Sequence, residues 1–479
     1  MPKASASSRP NILLCVADDW GWPHAGAYGD RVVQTSTFDW LASKGVLFER
    51  AFVSSPSCTP SRNALLTGQQ FYRLGEGANL RSTLDVSYPN FMRILQDAGY
   101  EIGHWRKVWG PGVYEAGGYQ SHPMGPGMSF EAFMKQRSKD KPFCFWFGTS
   151  DPHRPYSRNR DEAHRIQATS EQVPAFWPDV EATRDDLGDY YFEVERWDRD
   201  VGRAIELLRD TGELENTIIV MTGDNGAPFP RCKGALYDWG ARVPLAIYWG
   251  SQVDAPGRRV REFVSLTDLA PTFLEAAGVD VPDEMTGQSL LPLLRNDQAM
   301  VAEQVRAYVV TGRERHAAAQ EMPSLVGYPS RAIRTDRYLY IMNLEPDRWP
   351  HGVPENATHP IGRHPDTDDG PTKSFIIEHR DDPQYRRFYE LCFAKRPAQE
   401  LYDVQADPDQ IHNLADDPAY RETAQQLREQ LIGYLRQTGD PRFTGGPVMF
   451  DEYPYRDERI HRRIRAWQEQ QQAATGKGG

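Results

Sequence analysis

Two pairs of adjacent polar residues each follow shortly after a run of apolar residues. The pairs are Asp18-Asp19 and Asp224-Asn225. Their side chains offer only oxygen ligands, which suit Ca²⁺ or Mg²⁺ better than Zn²⁺ or copper. One such pair alone would equally be explained by a helix cap or a turn. Because the pattern occurs twice, we predict that the two pairs meet at one divalent cation site.

A third polar cluster, residues 149–155, follows another apolar run and contains His153. Imidazole suits proton transfer near neutral pH, although a surface loop histidine is the alternative interpretation. In open α/β sheets, ligands bind outside the carboxyl ends of the strands. Three polar clusters at three strand ends therefore predict one common site.

The segment Pro56 to Arg62 places a cysteine, Cys58, close to a proline that fits the first turn of a helix, Pro60. This pattern predicts a helix that begins just after Cys58. The helix dipole would favour a thiolate or another anion there. Arg62, about one turn into the helix, can bind a tetrahedral oxyanion with its planar guanidinium group. The alternative is an ordinary helix with a buried cysteine.

The elements that must position these residues are read from the apolar patterns. Nearly continuous apolar runs predict strands buried on both faces, and apolar residues at helical spacing predict helices between them. This alternation is typical of an α/β fold with a mainly parallel sheet. The predicted strands are 11–17, 143–148, 217–221 and 245–249, and the predicted helices are 88–98, 187–208 and 266–277.

The sequence changes character after about residue 295. A strand pair is predicted at 331–342, a short strand at 400–403 and an amphipathic helix at 419–437, whereas 345–390 has the composition of long surface loops. We therefore predict a catalytic domain over 1–325, a smaller α+β domain over 326–465 and a flexible tail over 466–479.

The composition excludes several classes of protein. The chain has 479 residues, with 55 basic and 67 acidic side chains and a net charge of −12, which argues against a nucleic-acid partner. No apolar run approaches the roughly 18 residues that span a membrane. The five cysteines are too few and too scattered for a disulfide framework. The first residues lack the apolar core of a signal peptide, so the chain as written is expected in the cytoplasm, or in the periplasm or outside the cell if a signal was removed.

The sequence Cys58-Thr59-Pro60-Ser61-Arg62, followed by Leu66-Thr67-Gly68, resembles the signature of type I sulfatases, Cys-x-Pro-Ser-Arg…Leu-Thr-Gly. The pairs Asp18-Asp19 and Asp224-Asn225 match this family in type and order, and the likeness extends over residues 10–441. The resemblance implies an alkaline-phosphatase-like fold, with a large mixed, mainly parallel sheet sandwiched by helices. Segments similar to the sulfamidase branch, the heparan N-sulfatases, lie at 151–154, 228–237 and 401–414.

The family resemblance also implies a chemistry. Cys58 would be oxidised to formylglycine by a formylglycine-generating enzyme, and one hydroxyl of the hydrated aldehyde would attack the sulfur of a sulfated mono- or oligosaccharide. The implied cation is Ca²⁺, with Mg²⁺ as the alternative, held by Asp18, Asp19, Asp224, Asn225 and residue 58. The implied sulfate-binding cations are Arg62, Lys107 and Lys233, and His153 is the implied proton donor.

One segment departs from the family pattern. Sulfatases usually place a histidine two or three residues after the first lysine, but Lys107 is followed by Val108, Trp109 and Gly110. His104 or Arg106 could replace that histidine, or His153 could act alone. The residues that we consider as readers of the sugar are Glu76, Asn79, Arg81, Trp109, Tyr114, Tyr237, Trp239, Arg363, His364, Arg386 and Arg387.

The leading hypothesis is release of sulfate from N-sulfoglucosamine in glycosaminoglycan degradation. A carbohydrate O-sulfatase and a phosphonate or phosphodiester hydrolase of the same superfamily are the alternatives. No further set of Asp and His residues indicates the second metal of an alkaline phosphatase. A catalytically inactive, carbohydrate-binding relative is a third alternative, disfavoured by the intact motif. The oligomeric state stays open, with a homo-oligomer among the options.

Overall fold

The computed structural model describes residues 9–156, 166–296, 306–355 and 362–475, which contain two β-sheets. In the larger sheet the strand order is β3-β4-β1-β5-β6-β2-β7, and β6 alone runs antiparallel to its neighbours. These strands are β1 (Asn11–Ala17), β2 (Val46–Phe52), β3 (Glu101–Trp105), β4 (Phe143–Gly148), β5 (Thr217–Gly223), β6 (Leu245–Tyr248) and β7 (Arg258–Ser265).

The central strands are buried on both faces, which explains their continuous apolar sequences. Along β1, Ile12 and Leu14 pack into the hydrophobic core on one side of the sheet, whereas Leu13 and Cys15 pack into the core on the other. Alternate side chains of a strand point to opposite faces, so both cores draw on the same short segment. The predicted sheet, with helices on both faces, is confirmed.

Helices cover both faces of this sheet: α3 and α7 pack on one core, and α1, α4 and α5 on the other. The helices are α1 (Ser36–Lys44), α2 (Cys58–Thr67), α3 (Phe91–Asp97), α4 (Phe130–Gln136), α5 (Glu181–Asp210), α6 (Asp238–Ala241), α7 (Leu269–Ala276), α8 (Leu291–Leu294), α9 (Pro371–Glu378), α10 (Arg386–Cys392), α11 (Arg421–Gln437), α12 (Pro441–Thr444) and α13 (Glu458–Thr475). No described helix combines the length and the apolar character that crossing a membrane requires.

The smaller sheet is antiparallel, in the order β11-β10-β9-β8. Its strands are β8 (Tyr308–Arg313), β9 (Ser330–Thr335), β10 (Tyr338–Asn343) and β11 (Gln399–Asp403). Helix α11 packs on this sheet through Leu427, Leu431 and Leu435. The strand pair at 331–342 is confirmed. The domain division at residue 325 stays a prediction, and β8 already belongs to the second sheet before that point.

The structure corrects the prediction of long loops over 345–390. This stretch contains α9 and α10, and Ile376, Ile377 and Phe388 are buried in the core that also holds α5. The apolar residues of these short helices are too few to show a helical period among so many prolines, aspartates and histidines.

Several predicted boundaries also move. Helix α3 begins at Phe91 instead of residue 88, because the Asn90 side chain accepts hydrogen bonds from the next backbone amides and caps the helix there. The predicted helix 266–277 divides into a short 3₁₀ turn and α7. Helix α13 continues to Thr475 within the predicted tail, whereas 476–479 and the first eight residues lie outside the described residues.

The second sheet depends on a buried arginine, and this dependence is testable. The Arg331 side chain is fully buried and pairs with Glu314 (2.7 Å) and Asp440 (2.6 Å). Arg331→Met should lower the free energy of unfolding by about 3–5 kcal/mol, because it leaves the buried Asp440 carboxylate without its ion pair and Glu314 with Arg442 alone. Urea unfolding followed by tryptophan fluorescence would measure the loss.

Arg337→Met is the matched control, because Arg337 pairs with Asp403 on the same sheet but is 55% exposed. Its unfolding midpoint should stay close to that of the unaltered protein. Equal losses in the two variants would contradict the role assigned to Arg331.

Candidate active site

The polar clusters predicted from the sequence lie at one edge of the larger sheet. Strands β3, β4, β1 and β5 are parallel neighbours, so their carboxyl ends lie at the same edge. Asp18 and Asp19 follow β1, and Asp224 follows β5. The Asp19 amide donates to Asp224 Oδ1 (2.9 Å), and the Asp18 amide donates to the Asp151 carbonyl (3.0 Å) beyond β4.

The backbone of this edge is tightly constrained. Asp19 adopts the left-handed conformation (φ 72°), which aspartate tolerates better than most residues. In the turn after β5, a Cβ atom on Gly226 would lie 2.0 Å from the Trp239 carbonyl oxygen. Only glycine fits this close approach, so the Asp-Asn-Gly sequence places its two polar side chains with little freedom.

Four buried side chains form a compact donor set. Ligand atoms of Asp18, Asp19, Cys58 and Asp224 all lie within 4.8 Å of one another. Asn225 donates through Nδ2 to Asp19 Oδ1 (2.8 Å), while its own Oδ1 is buried and has no hydrogen-bond partner among the described residues. Buried carboxylates beside an unsatisfied carbonyl oxygen fit a hard divalent cation, which prefers such oxygens.

Each of the three carboxylates also contacts a different basic side chain. Arg62 Nε donates to Asp224 Oδ2 (2.7 Å), Lys107 Nζ to Asp18 Oδ1 (2.5 Å) and Lys233 Nζ to Asp19 Oδ2 (2.8 Å). Burial would raise the pKa of Asp18, but Lys107, His153 and Arg62 outweigh it and hold that pKa below its usual range. At Asp19, burial outweighs Lys233 and His153 and raises the pKa of the carboxyl. The basic residues therefore favour the ionised form of Asp18 and place positive charge beside residue 58.

Cys58 is the first residue of α2, so the helix begins at this residue and not after it. Its Sγ lies 3.5 Å from Asp18 Oδ1 and 3.8 Å from Asp19 Oδ1. Burial raises the pKa of the thiol well above its usual range, against the lowering effect of Lys107 and Lys233. Burial thus opposes the expected effect of the helix dipole on this thiol, and the expectation that an anion is favoured at residue 58 stays a prediction.

His153 lies on a loop that α5 holds on both sides. Arg196 pairs with Asp151, and Arg154 forms a two-pronged ion pair with Asp186 (2.7 and 2.9 Å). His153 Nε2 lies 3.9 Å from Asp19 Oδ2, and the side chain is 33% exposed. The site therefore opens towards solvent on the side of this imidazole.

The side chains that lie near Lys107 in the sequence form hydrogen bonds and ring contacts with other residues. The Trp109 indole nitrogen donates to Asn63 Oδ1 (2.6 Å), and its ring packs in the core. His104 stacks on His122, with ring centroids 3.9 Å apart, and Arg106 lies over the Trp105 ring. The contacts of His104 and Arg106 thus do not support the idea that either replaces the missing histidine. The role of His153 as the proton donor stays a prediction.

Two residues that sequence reasoning missed reach this site from the C-terminal half. Asp368, just before α9, has its Oδ2 3.0 Å from Lys233 Nζ. His316, after β8, accepts from or donates to Ser57 Oγ through Nδ1 (2.7 Å) and is buried. Burial, with Lys233 and Arg313 nearby, lowers the pKa of His316 well below its usual range. No local spacing pattern links these residues to Cys58, so the sequence carried no signal for them.

The sequence of this chain matches known protein families and individual proteins. The family model described as Sulfatase matches residues 10–129 and 127–279, which is more than half of the chain. The chain belongs to the sulfatase family. A second model, described as N-sulphoglucosamine sulphohydrolase, C-terminal, matches residues 232–349 of this sulfatase.

The sulfatase is similar to curated proteins over most of its length. It is 29% identical over 460 residues to an Ulvan-active sulfatase of Formosa agariphila (92% of this chain, 83% of the relative). It is 29% identical over 485 residues to N-sulphoglucosamine sulphohydrolase of Homo sapiens (91% of each chain). A solved structure described as a complex with its substrate D-glucosamine-2-N,6-O-disulfate matches with a TM-score of 0.62 at 20% identity, over 90% of this chain and 99% of that one, and shows the shared fold.

Most of the residues considered as contacts for the sugar form ion pairs, hydrogen bonds or ring contacts within this sulfatase. Glu76 pairs with Arg456, Asn79 donates to the Phe450 carbonyl, and Tyr237 donates to Glu400. Further members of the set are occupied as well: Arg81 pairs with Asp457, Arg386 pairs with Glu390, Tyr114 packs against Trp109 and His122, Trp239 packs against Trp177, and His364 is buried against Phe393. Arg363 and Arg387 are exposed. The roles of these residues in contacting the sugar stay predictions.

A cation bound by the cluster should stabilise the folded sulfatase. We expect Ca²⁺ added to chelator-treated protein to raise the melting temperature, because the ion binds only the folded state. Asn225→Ala removes the unsatisfied oxygen and should weaken the affinity at least about tenfold. Differential scanning fluorimetry and isothermal titration calorimetry with Ca²⁺ and Mg²⁺ would measure both effects.

Asp97→Asn, which changes an exposed carboxylate at the end of α3, is the control and should bind Ca²⁺ normally. Unchanged Ca²⁺ affinity in Asn225→Ala would exclude this side chain as a ligand. An absence of any thermal shift in the unaltered protein would argue against a cation at this cluster.

Proposed function

We propose that this sulfatase removes the sulfate group from N-sulfoglucosamine or from an N-sulfated glucosamine at the end of an oligosaccharide. The observation that carries the proposal is the arrangement around residue 58, where three basic side chains surround a buried set of oxygen ligands. The match to the N-sulphoglucosamine sulphohydrolase C-terminal model and the human relative support the choice of an N-sulfated sugar.

Residue 58 would supply the nucleophile after conversion of Cys58 to formylglycine, whose hydrate offers a hydroxyl oxygen. Asp18, Asp19, Asp224 and Asn225 would hold a Ca²⁺ ion, or Mg²⁺, beside it, and a bound cation supplies charge that activates such an oxygen. Conversion needs a formylglycine-generating enzyme as a partner during maturation.

The basic side chains would bind the sulfate oxygens. Lys107 is 22% exposed and Lys233 only 5%, so the two ammonium groups lie at different depths of the site. Fixed cations in a site that excludes water stabilise the charge that develops on the sulfate during its transfer. Local positive charge of this kind explains how a protein with a net charge of −12 binds an anion.

The leaving group would take its proton from His153. When oxygen bonds to the sulfur and the S–N bond breaks, its electron pair returns to nitrogen, which needs a proton to leave as an amine. The exposed imidazole at the opening of the site is placed for this transfer, whereas Trp109 packs in the core and has no acidic proton to give.

A carbohydrate O-sulfatase is the second candidate, and the similarity to the Ulvan-active sulfatase favours it. A phosphonate or phosphodiester hydrolase receives less support. The structure does gather a further set of Asp and His residues, Asp19, His153 and Asp368, which the sequence did not indicate. Lys233 Nζ lies 2.8 Å from Asp19 Oδ2 and 3.0 Å from Asp368 Oδ2, so an ammonium group already balances the carboxylates that a second metal ion would bind. A protein that only binds carbohydrate would not need the complete cluster.

The first test is sulfate release by protein co-expressed with a formylglycine-generating enzyme, with residue 58 checked by mass spectrometry. We expect release from N-sulfoglucosamine, measured by ion chromatography, and none from Cys58→Ala, which has no nucleophile. Cys392→Ala, which removes a buried thiol in α10, is the control and should stay active. Release only from glucosamine 6-O-sulfate would favour the O-sulfatase, and no release by fully converted protein would refute both.

The role of His153 gives a second test. His153→Asn should lower kcat for N-sulfoglucosamine by about 10²–10⁴-fold, because the amine leaves poorly without a proton. An activated aryl sulfate, whose phenolate leaves unprotonated, should lose less than about tenfold. His412→Asn changes a histidine that is 74% exposed and serves as the control. Equal losses on both substrates would show that His153 binds sulfate instead of donating a proton.

A further inference from the structure

One acidic residue, Asp368, lies in a site otherwise arranged to bind an anion. It stands on the segment just before α9, and its Oδ2 lies 3.0 Å from Lys233 Nζ. Carboxylate oxygens of Asp368 and Asp19 and a ring nitrogen of His153 lie within 4.8 Å of one another. Unlike the three carboxylates of the buried cluster, Asp368 is outside the predicted cation ligands and beside the proton donor.

The side chain of Asp368 presents an acceptor to the opening of the site. Its Oδ2 is buried against Lys233, yet the side chain as a whole is 27% exposed. Among the described residues, no donor contacts its other oxygen, Oδ1. Asp368 and His153 are therefore both partly exposed and adjacent, on the side from which a sugar would enter.

N-sulfates and O-sulfates differ at the bridging atom. A sulfamate nitrogen carries one hydrogen as well as a lone pair, whereas the bridging oxygen of a sulfate ester carries lone pairs only. A carboxylate near this atom accepts a hydrogen bond from the sulfamate N–H but repels the ester oxygen. An unpaired polar contact of this kind is a strong source of discrimination between similar substrates.

We propose that Asp368 is the residue that selects N-sulfate over O-sulfate, by accepting a hydrogen bond from the N–H at the bond to be broken. This inference rests on the proposed function. His153 delivers its proton to the nitrogen lone pair as the S–N bond breaks, and Asp368 holds the hydrogen already present. The product is then a neutral amine that carries the original hydrogen and the proton from His153, and it becomes an ammonium ion by taking a further proton from water.

The pairing with Lys233 explains how a carboxylate is tolerated beside the sulfate. Lys233 contacts Asp19 and Asp368 together, so one ammonium group shields two negative charges. It also fixes the orientation of Asp368, with Oδ2 turned inwards. In Asp368→Asn, Lys233 would hold the amide oxygen, and the amide NH₂ would face the opening as a donor.

The test compares N-sulfoglucosamine with glucose 2-O-sulfate, which differ only in whether NH or O bridges the sugar and the sulfate. In Asp368→Asn, we expect kcat/KM for N-sulfoglucosamine to fall about 10- to 100-fold, the range for a lost hydrogen bond to a charged group. For glucose 2-O-sulfate, kcat/KM should stay level or rise. Asp368→Ala should lower the N-sulfate activity without favouring the ester.

Asp369→Asn is the matched control, because Asp369 is the adjacent carboxylate, is 89% exposed and pairs with Lys373. It should leave both activities unchanged. An equal fall on both substrates in Asp368→Asn would overturn the inference and assign Asp368 only to positioning Lys233. Preference of the unaltered, fully converted enzyme for glucose 2-O-sulfate would overturn it as well. Failure of that enzyme on both substrates would instead refute the proposed function.

Discussion

The burial of Asp18, Asp19 and Asp224 at one edge of the larger sheet is the constraint on which the rest of the site depends. Removing several like charges from water is costly unless opposite charges lie close by. Each carboxylate has its own basic partner, and a divalent cation would add to this compensation. In the proposed function the same lysines bind the incoming sulfate, so that charge balance in the protein and binding of the substrate would be one arrangement.

The partners come from different parts of the chain, and the strand order brings them together. Arg62 lies on α2, Lys107 follows β3, and Lys233 follows the turn after β5. Because β3, β4, β1 and β5 are parallel neighbours, the segments after them converge without long excursions. Stability and catalysis are thus coupled here: a change in any one charge alters the environment of the others.

The sequence predicted what depends on local pattern. The strands that precede Asp18, His153 and Asp224 were visible as continuous apolar runs. The Cys58–Arg62 motif indicated a helix, and its resemblance to the sulfatase signature indicated a sulfatase chemistry. Burial could not be foreseen in the same way, and it raises the pKa of the Cys58 thiol and makes His364 inaccessible. The helices α9 and α10 were not predicted, because their few apolar residues show no helical period.

Asp368 and His316 could not be predicted because they reach the site through tertiary structure alone. Both come from beyond residue 306, where the chain builds the second sheet and its connections, while the carboxylates and their basic partners all precede residue 240. In the proposed function the N-terminal part of the chain supplies the reaction chemistry, and the C-terminal segments supply the wall that faces the sugar. Insertions and substitutions in the C-terminal segments that spare Asp368 and His316 would reshape that wall and leave the charged cluster in place, which offers descendants of one catalyst a route to new sulfated polymers.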